Sequence, residues 1–402
     1  MRGIAIFRLI ALIMSAQLVA ACFGGEDSSN ASSTPVTSTP AASAPTLMTQ
    51  PANVTVTDGQ PATFTAVASG SAPLSYQWSK NGSVIAGAAA SSYSTTPTTS
   101  SDNGSVFSVS VSNAAGTATS DKAVLTVDAL AGVAFGHVVI VMEENSNYSS
   151  VVGNNSSMPY LKSLIDNYGL ATQYYANTHP SIGNYLMLVT GQVLTNDDSE
   201  TPESFPVSAD NIVRELSQNG KTWKAYAEDL PSVGYIGGNT GNYAVRHVPL
   251  AYLTDVQDST ATRQGLVPFT QFATDLAGGT LPNFSFVTPN LCNDAHNCAV
   301  STADAWLKTN IAPLLTSSPF KDDGLLIITF DESENDNTHG GGRVAAVFVS
   351  PAFSKKGYQS TTLYQHQSTL RLMLKSLGVT SFPGAAATAP GMTEFFSSPS
   401  TP

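Results

Sequence analysis

The stretch HVVIVMEENSNY, residues 137–148, decides how the larger part of this chain is read. Five apolar residues, Val138 to Met142, run without a break and end at Glu143, Glu144 and Asn145. An unbroken apolar run, rather than an alternating one, predicts a strand buried on both faces, as in a parallel sheet covered by helices. The polar triplet is then delivered to one edge of that sheet.

Working outward, strand-like runs recur over 222–227, 284–288, 325–330 and 344–349. Helical spacing near 159–168, 182–190, 209–218, 268–277, 302–315 and 366–377 places helices between them. This alternation predicts an α/β domain, a largely parallel sheet between helices, over residues 134–398. In such sheets the working residues gather beyond the carboxyl ends of the strands. Three ends fit: Glu143, Glu144 and Asn145 after VVIVM; Asn293, Asp294 and His296 after FSFVTPN; Asp331 and Glu332, then Glu334, Asp336 and His339, after LLIITF. In a chain with only 11% charged residues, three such ends point to a metal or anion site.

A fourth piece is NTHPSIGNYLMLVTGQ, residues 177–192. Ser181 stands just before an apolar helix, among amides that have no intrahelical partner and favour anions. As a plain N-cap it would contribute about 1 kcal/mol. Beside an oxygen-rich metal site the same serine becomes a candidate nucleophile, because a metal ion can hold it as an alkoxide.

From His137 to about Gly378 the chain resembles the phosphoesterase family of bacterial and fungal acid phosphatases and bacterial phospholipases C, within the alkaline phosphatase superfamily. The resemblance rests on HVVIVMEENSNY, THPSIGNYLMLVTG, RHVPLAYLTDV, PNLCNDAHNC with ADAWL, LLIITFDESE, GGGRVAAVFVSP and YQHQSTLRLML, in that order. It implies metal ligation by Glu144, Asn145, Ser181, Asp331 and Glu332, with Ser181 as the phosphorylated nucleophile. It implies that Asp294 and His296 form a D-x-H element facing the phosphate, and that His366 opens the last helix at the site. His296 and His366 are the expected proton-transfer residues, and His179 and Asn184 flank the nucleophile as phosphate-orienting candidates. His247 is a further substrate-binding candidate, weakened by Val248 where relatives more often carry asparagine. The ligand set is mostly oxygen, which favours Mg, Ca or Mn over Zn; one divalent ion of unknown identity is expected.

Neighbouring polar residues have plainer readings. Glu143, alternating with Glu144, is expected to face away or pair with a base. His339 reads as a loop residue, and Arg343 as either a phosphate ligand or a structural ion pair.

The N-terminal third has another character. Residues 46–128 hold short alternating runs such as LSYQWSKNG and VFSVSVSNAAG, an all-β pattern. Their spacing resembles an immunoglobulin-like sandwich, with Trp78 as the core tryptophan, Ala66 and Val109 in place of the inter-sheet cysteines, and Phe107 in place of the corner tyrosine. A spacer is the expectation, with surface or glycan contacts as its candidate partners. Before it, residues 22–45 are a Ser/Thr/Pro/Ala tether.

Residues 1–21 carry Arg2, Arg8 and an apolar run closing on small residues, the form of an export signal. Val19-Ala20-Ala21-Cys22 resembles the lipobox of bacterial lipoproteins, which implies lipidation of Cys22 and a membrane anchor; Phe23 in place of Asp suits release to the outer membrane or cell surface. In an exported protein the remaining pair, Cys292 and Cys298, reads as a disulfide. A net charge of -12 argues against nucleic-acid binding. The expected activity is phosphate-monoester hydrolysis on a small phosphoester substrate. Phospholipase C action is one alternative, and an inactive surface-binding protein is another.

Overall fold

The computed structural model describes residues 41–57, 59–128, 134–153, 156–353 and 356–396. The signal segment, Cys22 and most of the tether lie outside the described residues. The chain divides into two compact units, Met1–Ala42 and Ser43–Pro402. The second carries every named strand and helix.

Thr46 to Asp128 is β-rich. Val54–Thr57, Ala123–Asp128, Val106–Asn113, Ser75–Lys80 and Ser83–Val84 form one sheet in that order, with Gly116–Thr119 pairing onto Val106–Asn113. Two further pairs join Thr46–Thr49 to Val67–Ser69 and Thr63–Thr65 to Ser92–Ser94. The alternation read in VFSVSVSN turns Phe107, Val109 and Val111 inward, all fully buried. They meet Ala66 and Trp78; Phe64 stacks on Phe107 at 4.4 Å, and the buried Trp78 Nε1 donates to the Ala90 carbonyl at 2.9 Å. Gly59, at φ +87°, lies so close to Gly391 that a Cβ would stand 2.0 Å from its amide nitrogen. Gln60 Nε2 donates to the Gly391 carbonyl at 2.7 Å.

The larger sheet has eight strands. Their order is Leu266–Pro268, Trp223–Ala227, Phe284–Thr288, His137–Glu143, Gly324–Phe330, Ala346–Val349, Gly169–Tyr175 and Tyr358–Gln365. Ala346–Val349 runs antiparallel to both neighbours and the other pairings are parallel, so the sheet is mixed. His137–Glu143 sits inside it, bonded to Phe284–Thr288 on one side and Gly324–Phe330 on the other. Val138 to Met142 are all fully buried, each side chain contributing roughly 1.5–3 kcal/mol through removal from water.

Helices form close to where the spacing places them. Ser181–Thr190 is fully buried around its circumference, as an apolar helix inside a large core should be. Ile212–Gln218 starts late because the Asn211 side chain caps it, accepting from the Arg214 amide. The expected helix over 302–315 is two, Val300–Asn310 and Ala312–Thr316, because Pro313 lies in the first turn of the second. Three strands were not expected: Gly169–Tyr175, Leu266–Pro268 and Tyr358–Gln365. The last is an edge strand of Gln, Ser and Thr with few apolar residues, and it carries little hydrophobic signal. No helix among the described residues is long and apolar enough to cross a membrane.

Candidate active site

Parallel strands share one carboxyl edge, and five of them bring polar residues to it. At the end of His137–Glu143 the chain turns through Asn145, whose φ of +41° is a left-handed conformation that asparagine tolerates better than most residues. The turn sends the Glu144 side chain and the Asn145 amide to the same place. Asn145 N donates to Asp331 Oδ1 at 3.1 Å, and Asn145 Nδ2 lies 3.3 Å from Glu144 Oε2.

Ser181 arrives from the Gly169–Tyr175 strand. It is the first residue of its helix, with Pro180 as the N-cap. Its hydroxyl donates to Glu144 Oε2 at 3.2 Å and also lies against Asp331 and Glu332. The loop holding it is fixed by Asn184, whose Oδ1 accepts from the Asn177 and Thr178 amides at 2.9 and 3.1 Å and whose Nδ2 donates to the Thr178 carbonyl. Gly340 and Gly341 press on the same loop; a Cβ there would stand 2.0 and 2.3 Å from the Asn177 and Thr178 carbonyl oxygens.

The carboxylates are crowded and almost dry. Glu144 and Asp331 are fully buried and Glu332 is 5% exposed. Burial pushes Asp331 up to about 6, and burial together with the Asp331 charge pushes Glu332 up to about 9. Glu144 is raised well above the usual range by burial, then by Asp331 and Asp294. Asp331 Oδ2 has no hydrogen-bond partner among the described residues.

A second set shares Glu144. His247, 1% exposed, stacks on Tyr185 with centroids 5.1 Å apart. Its Nε2 lies 3.3 Å from Glu144 Oε1 and its Nδ1 3.4 Å from Asp294 Oδ2. Neither contact has hydrogen-bond geometry, which leaves both ring nitrogens and Asp294 Oδ2 without partners. One ligand atom from each of Glu144, His247 and Asp294 lies within 4.8 Å of the others. Orphaned buried donor atoms around crowded carboxylates are what a divalent cation would satisfy. The residues therefore fit a metal ion, with a buried Glu/His/Asp group able to hold one.

Asp294 and His296 lie inside a loop closed by the Cys292–Cys298 disulfide. The Asp294 carbonyl accepts from the Glu144 amide at 2.7 Å, and burial raises its carboxyl to about 7. Glu228 braces this loop, accepting from the Asn290 amide, Asn293 Nδ2 and Trp306 Nε1. His296 Nε2 accepts from Arg246 Nη2 at 3.2 Å, while Nδ1 lies 2.8 Å from Asn297 Oδ1.

Several expected roles change with these placements. His366 is fully buried, donating from Nε2 to the Asp331 carbonyl at 2.7 Å and accepting at Nδ1 from Tyr174 at 3.0 Å. Burial lowers it to about 4, so it is neutral, and it fixes Asp331 instead of reaching a reacting atom. Asn184 spends its amide on the loop, and His247 faces the carboxylates, so neither is placed to orient substrate. His179 lies with Nδ1 2.7 Å from Glu332 Oε2 and Nε2 3.1 Å from the Asp336 carbonyl, so it too holds a carboxylate in place. Asn145 reaches the site by its amide nitrogen as well as its side chain. Glu143 faces away, as expected, yet has no basic partner among the described residues. Arg343 forms no ion pair among the described residues; it stacks 3.8 Å over Tyr148 and donates to the Thr172 carbonyl. His339 is an exposed loop residue, edge-on to Tyr175.

Four further residues join the site. Tyr185 donates a short hydrogen bond to Glu144. Asp198 accepts from the Ile182 amide at 3.0 Å, so a carboxylate of the chain itself occupies part of the helix N-terminus. Arg246 Nε lies 3.4 Å from that carboxylate, and its charge bears on Glu144, Asp294 and Glu332. Glu228 completes the set. Tyr185 could have been found as the helical neighbour four residues beyond Ser181, Arg246 as the residue before His247 in a short 3-10 helix, and Glu228 as the carboxylate that follows its strand; Asp198 sits in a turn without a recurring pattern.

Comparison with known proteins places the chain in a family. A probable acid phosphatase of Kluyveromyces lactis is 32% identical over 276 residues, covering 66% of this chain and 64% of that protein. A phosphatidylinositol-3-phosphatase of Mycobacterium tuberculosis is 32% identical over 265 residues, covering 65% and 83%. A solved structure of an alkaline phosphatase superfamily protein from Vibrio parahaemolyticus aligns over 64% of this chain and 71% of its own, at 12% identity and a TM-score of 0.44. The chain thus spans just under two thirds of the yeast relative. Residues 154–380, which include Ser181, Asp294, Asp331 and His366 and begin after Glu144, match the Phosphoesterase family. That match covers more than half of the chain, and the chain belongs to the Phosphoesterase family.

Proposed function

We propose that this chain hydrolyses phosphate monoesters, with Ser181 as the nucleophile and a divalent metal ion at the buried carboxylates. The observation that carries the reading is the Ser181 hydroxyl: it begins a buried helix, hydrogen-bonds Glu144, and lies against Asp331 and Glu332. The names of the relatives, acid phosphatase and phosphatidylinositol-3-phosphatase, support a phosphoester substrate.

Glu144, Asp331, Glu332 and Ser181 would hold the ion on one side, with Glu144, His247 and Asp294 the tighter group on the other. Bound there, the ion would lower the pKa of the serine hydroxyl and neutralise charge on the transferring phosphoryl group. Ser181 Oγ attacks phosphorus, the bond to the alcohol oxygen breaks, and phosphoserine forms as the alcohol leaves. Water then attacks the phosphoserine, releasing inorganic phosphate and the free serine. Arg246 is the guanidinium placed to meet phosphate oxygens. His296 is the proton-transfer group. The hydrogen bond from Arg246 requires Nε2 without a proton, so that bond must open and Nε2 must take a proton, from solvent or from the Ser181 hydroxyl, before His296 passes it to the leaving oxygen.

We also propose that residues 46–128 form an immunoglobulin-like spacer, supported by the buried Trp78, Phe107, Ala66 and Val109, and that the protein is exported and anchored through Cys22, supported by the lipobox-like sequence. The functional test is turnover of p-nitrophenyl phosphate and of a phosphatidylcholine analogue, each with and without chelator. Chelator-sensitive monoester turnover supports the reading. Turnover of the lipid alone would replace it with a phospholipase C, and turnover of neither with divalent ions supplied would point to a binding protein.

A further inference from the structure

Beside the cluster lies an open cavity of about 340 Å³, lined by Asn145, Ser146, Asn147, Ser150, residues 295–300 and Glu334. It meets the site at two residues. Asn145 touches Glu144 and Asp331, and His296 is the group assigned to the leaving oxygen. An alcohol departing from phosphorus toward His296 therefore enters this cavity. The wall that carries His296 belongs to the disulfide-closed loop, which restrains its shape.

The lining is unusual for a ligand cleft. Such clefts are mostly apolar and aromatic, and this volume stands at the small end of their range of about 300–1,000 Å³. Here the described lining residues include no Phe, Tyr or Trp, and their one ring is the His296 imidazole, so an aryl group or a nucleobase finds only a single small ring to stack on. They include no Lys or Arg, and Glu334 is exposed at the edge, so a second phosphate or a carboxylate on the leaving group meets repulsion. Amides and hydroxyls of Asn147, Ser150 and Asn297 face small apolar surfaces from Ala295, Ala299 and Val300. That mixture suits a ring or short chain with C–H faces and hydroxyl edges. Two acyl chains exceed it. Arg343 lines the neighbouring cavity and not this one; it stacks on Tyr148 and donates to the Thr172 carbonyl.

We propose that this cavity is the leaving-group site and that it selects an uncharged, hydroxyl-rich alcohol, making the preferred substrate a sugar or polyol monophosphate. This rests on the phosphomonoesterase reading. The test uses the full chain with its divalent ion and compares kcat/KM for glucose 6-phosphate, fructose 1,6-bisphosphate and p-nitrophenyl phosphate. Asn147→Ala and Glu334→Ala should each lower the ratio of glucose 6-phosphate to p-nitrophenyl phosphate at least fivefold, the scale of one lost hydrogen bond. Glu334→Lys should raise the ratio of the bisphosphate to glucose 6-phosphate at least fivefold. Glu334 is exposed and Asn147 half-buried, and circular dichroism should show folded variants. If p-nitrophenyl phosphate is turned over and these ratios stay within twofold of wild type, the cavity is not the leaving-group site and the phosphatase reading stands. If no monoester is hydrolysed, both readings fall together.

Discussion

Glu143 and Glu144 are adjacent, equally buried, and belong to opposite sides of one strand end. On the Glu144 side the neighbours are a serine hydroxyl, a neutral histidine and three acids, Asp331, Glu332 and Asp294, with oxygens and ring nitrogens left unsatisfied. On the Glu143 side lie Glu228 and Asp304, whose oxygens are hydrogen-bonded, Glu228 to the 290–293 loop and Trp306, Asp304 to the Tyr160 and Leu161 amides. The Glu143 carboxyl bonds to nothing among the described residues. The difference teaches that burial of a carboxylate is not a sign of chemistry. What marks the working side is convergence of several incomplete ligands on one point, whereas the other side holds one carboxylic acid kept neutral by its surroundings.

The comparison can be broken most directly at Ser181. Ser181→Ala should lower kcat for a phosphate monoester by at least about a thousandfold while leaving the thermal midpoint near that of wild type. Asp331→Asn and Glu144→Gln should each cost about a hundredfold or more in kcat/KM and weaken metal retention, measured by elemental analysis after dialysis. Glu143→Gln should do neither, which is the sharpest contrast between the neighbours.

His366→Ala should fall between these. It removes the donor that fixes the Asp331 carbonyl, so kcat should fall about tenfold to a hundredfold, with wild-type KM and reduced metal affinity. A role at the reacting atoms would instead erase one limb of the pH profile.

The smallest effect concerns pH. Burial, then the charges of Asp294, Asp304 and Glu228, raises Glu143 well above an ordinary carboxyl. It is protonated when folded and ionised when unfolded above the ordinary pKa of about 4.3. The unfolded state therefore binds fewer protons, and this residue makes stability fall as pH rises above that value until the folded group ionises. With metal chelated, Glu143→Gln should remove that slope. Its stability relative to wild type should improve by up to about 1.4 kcal/mol per pH unit, measured by urea unfolding between pH 5 and 8.

Much of the sheet was legible because its strands are unbroken apolar runs. Val138 to Met142 and 325–330 needed no tertiary information to be read, and the Asp331–Glu332 pair followed from its strand end. The polar edge strand Tyr358–Gln365 was not legible, since its place depends on pairing with Gly169–Tyr175 and not on its own hydrophobicity. At the site, residue types were readable but their loyalties were not. His366, His179 and Asn184 stand where the motifs put them, yet each spends its polar atoms on the scaffold. Asp198 comes from a turn outside every motif and is joined to the site only by folding.

The central claim is that Ser181 takes the phosphoryl group. Protein quenched in acid during steady turnover of a phosphate monoester, digested and analysed by mass spectrometry should carry one phosphoryl group on the peptide containing Ser181. The same peptide from Ser181→Ala should carry none. Full turnover by Ser181→Ala, or a phosphoryl group trapped on another residue, would contradict the account.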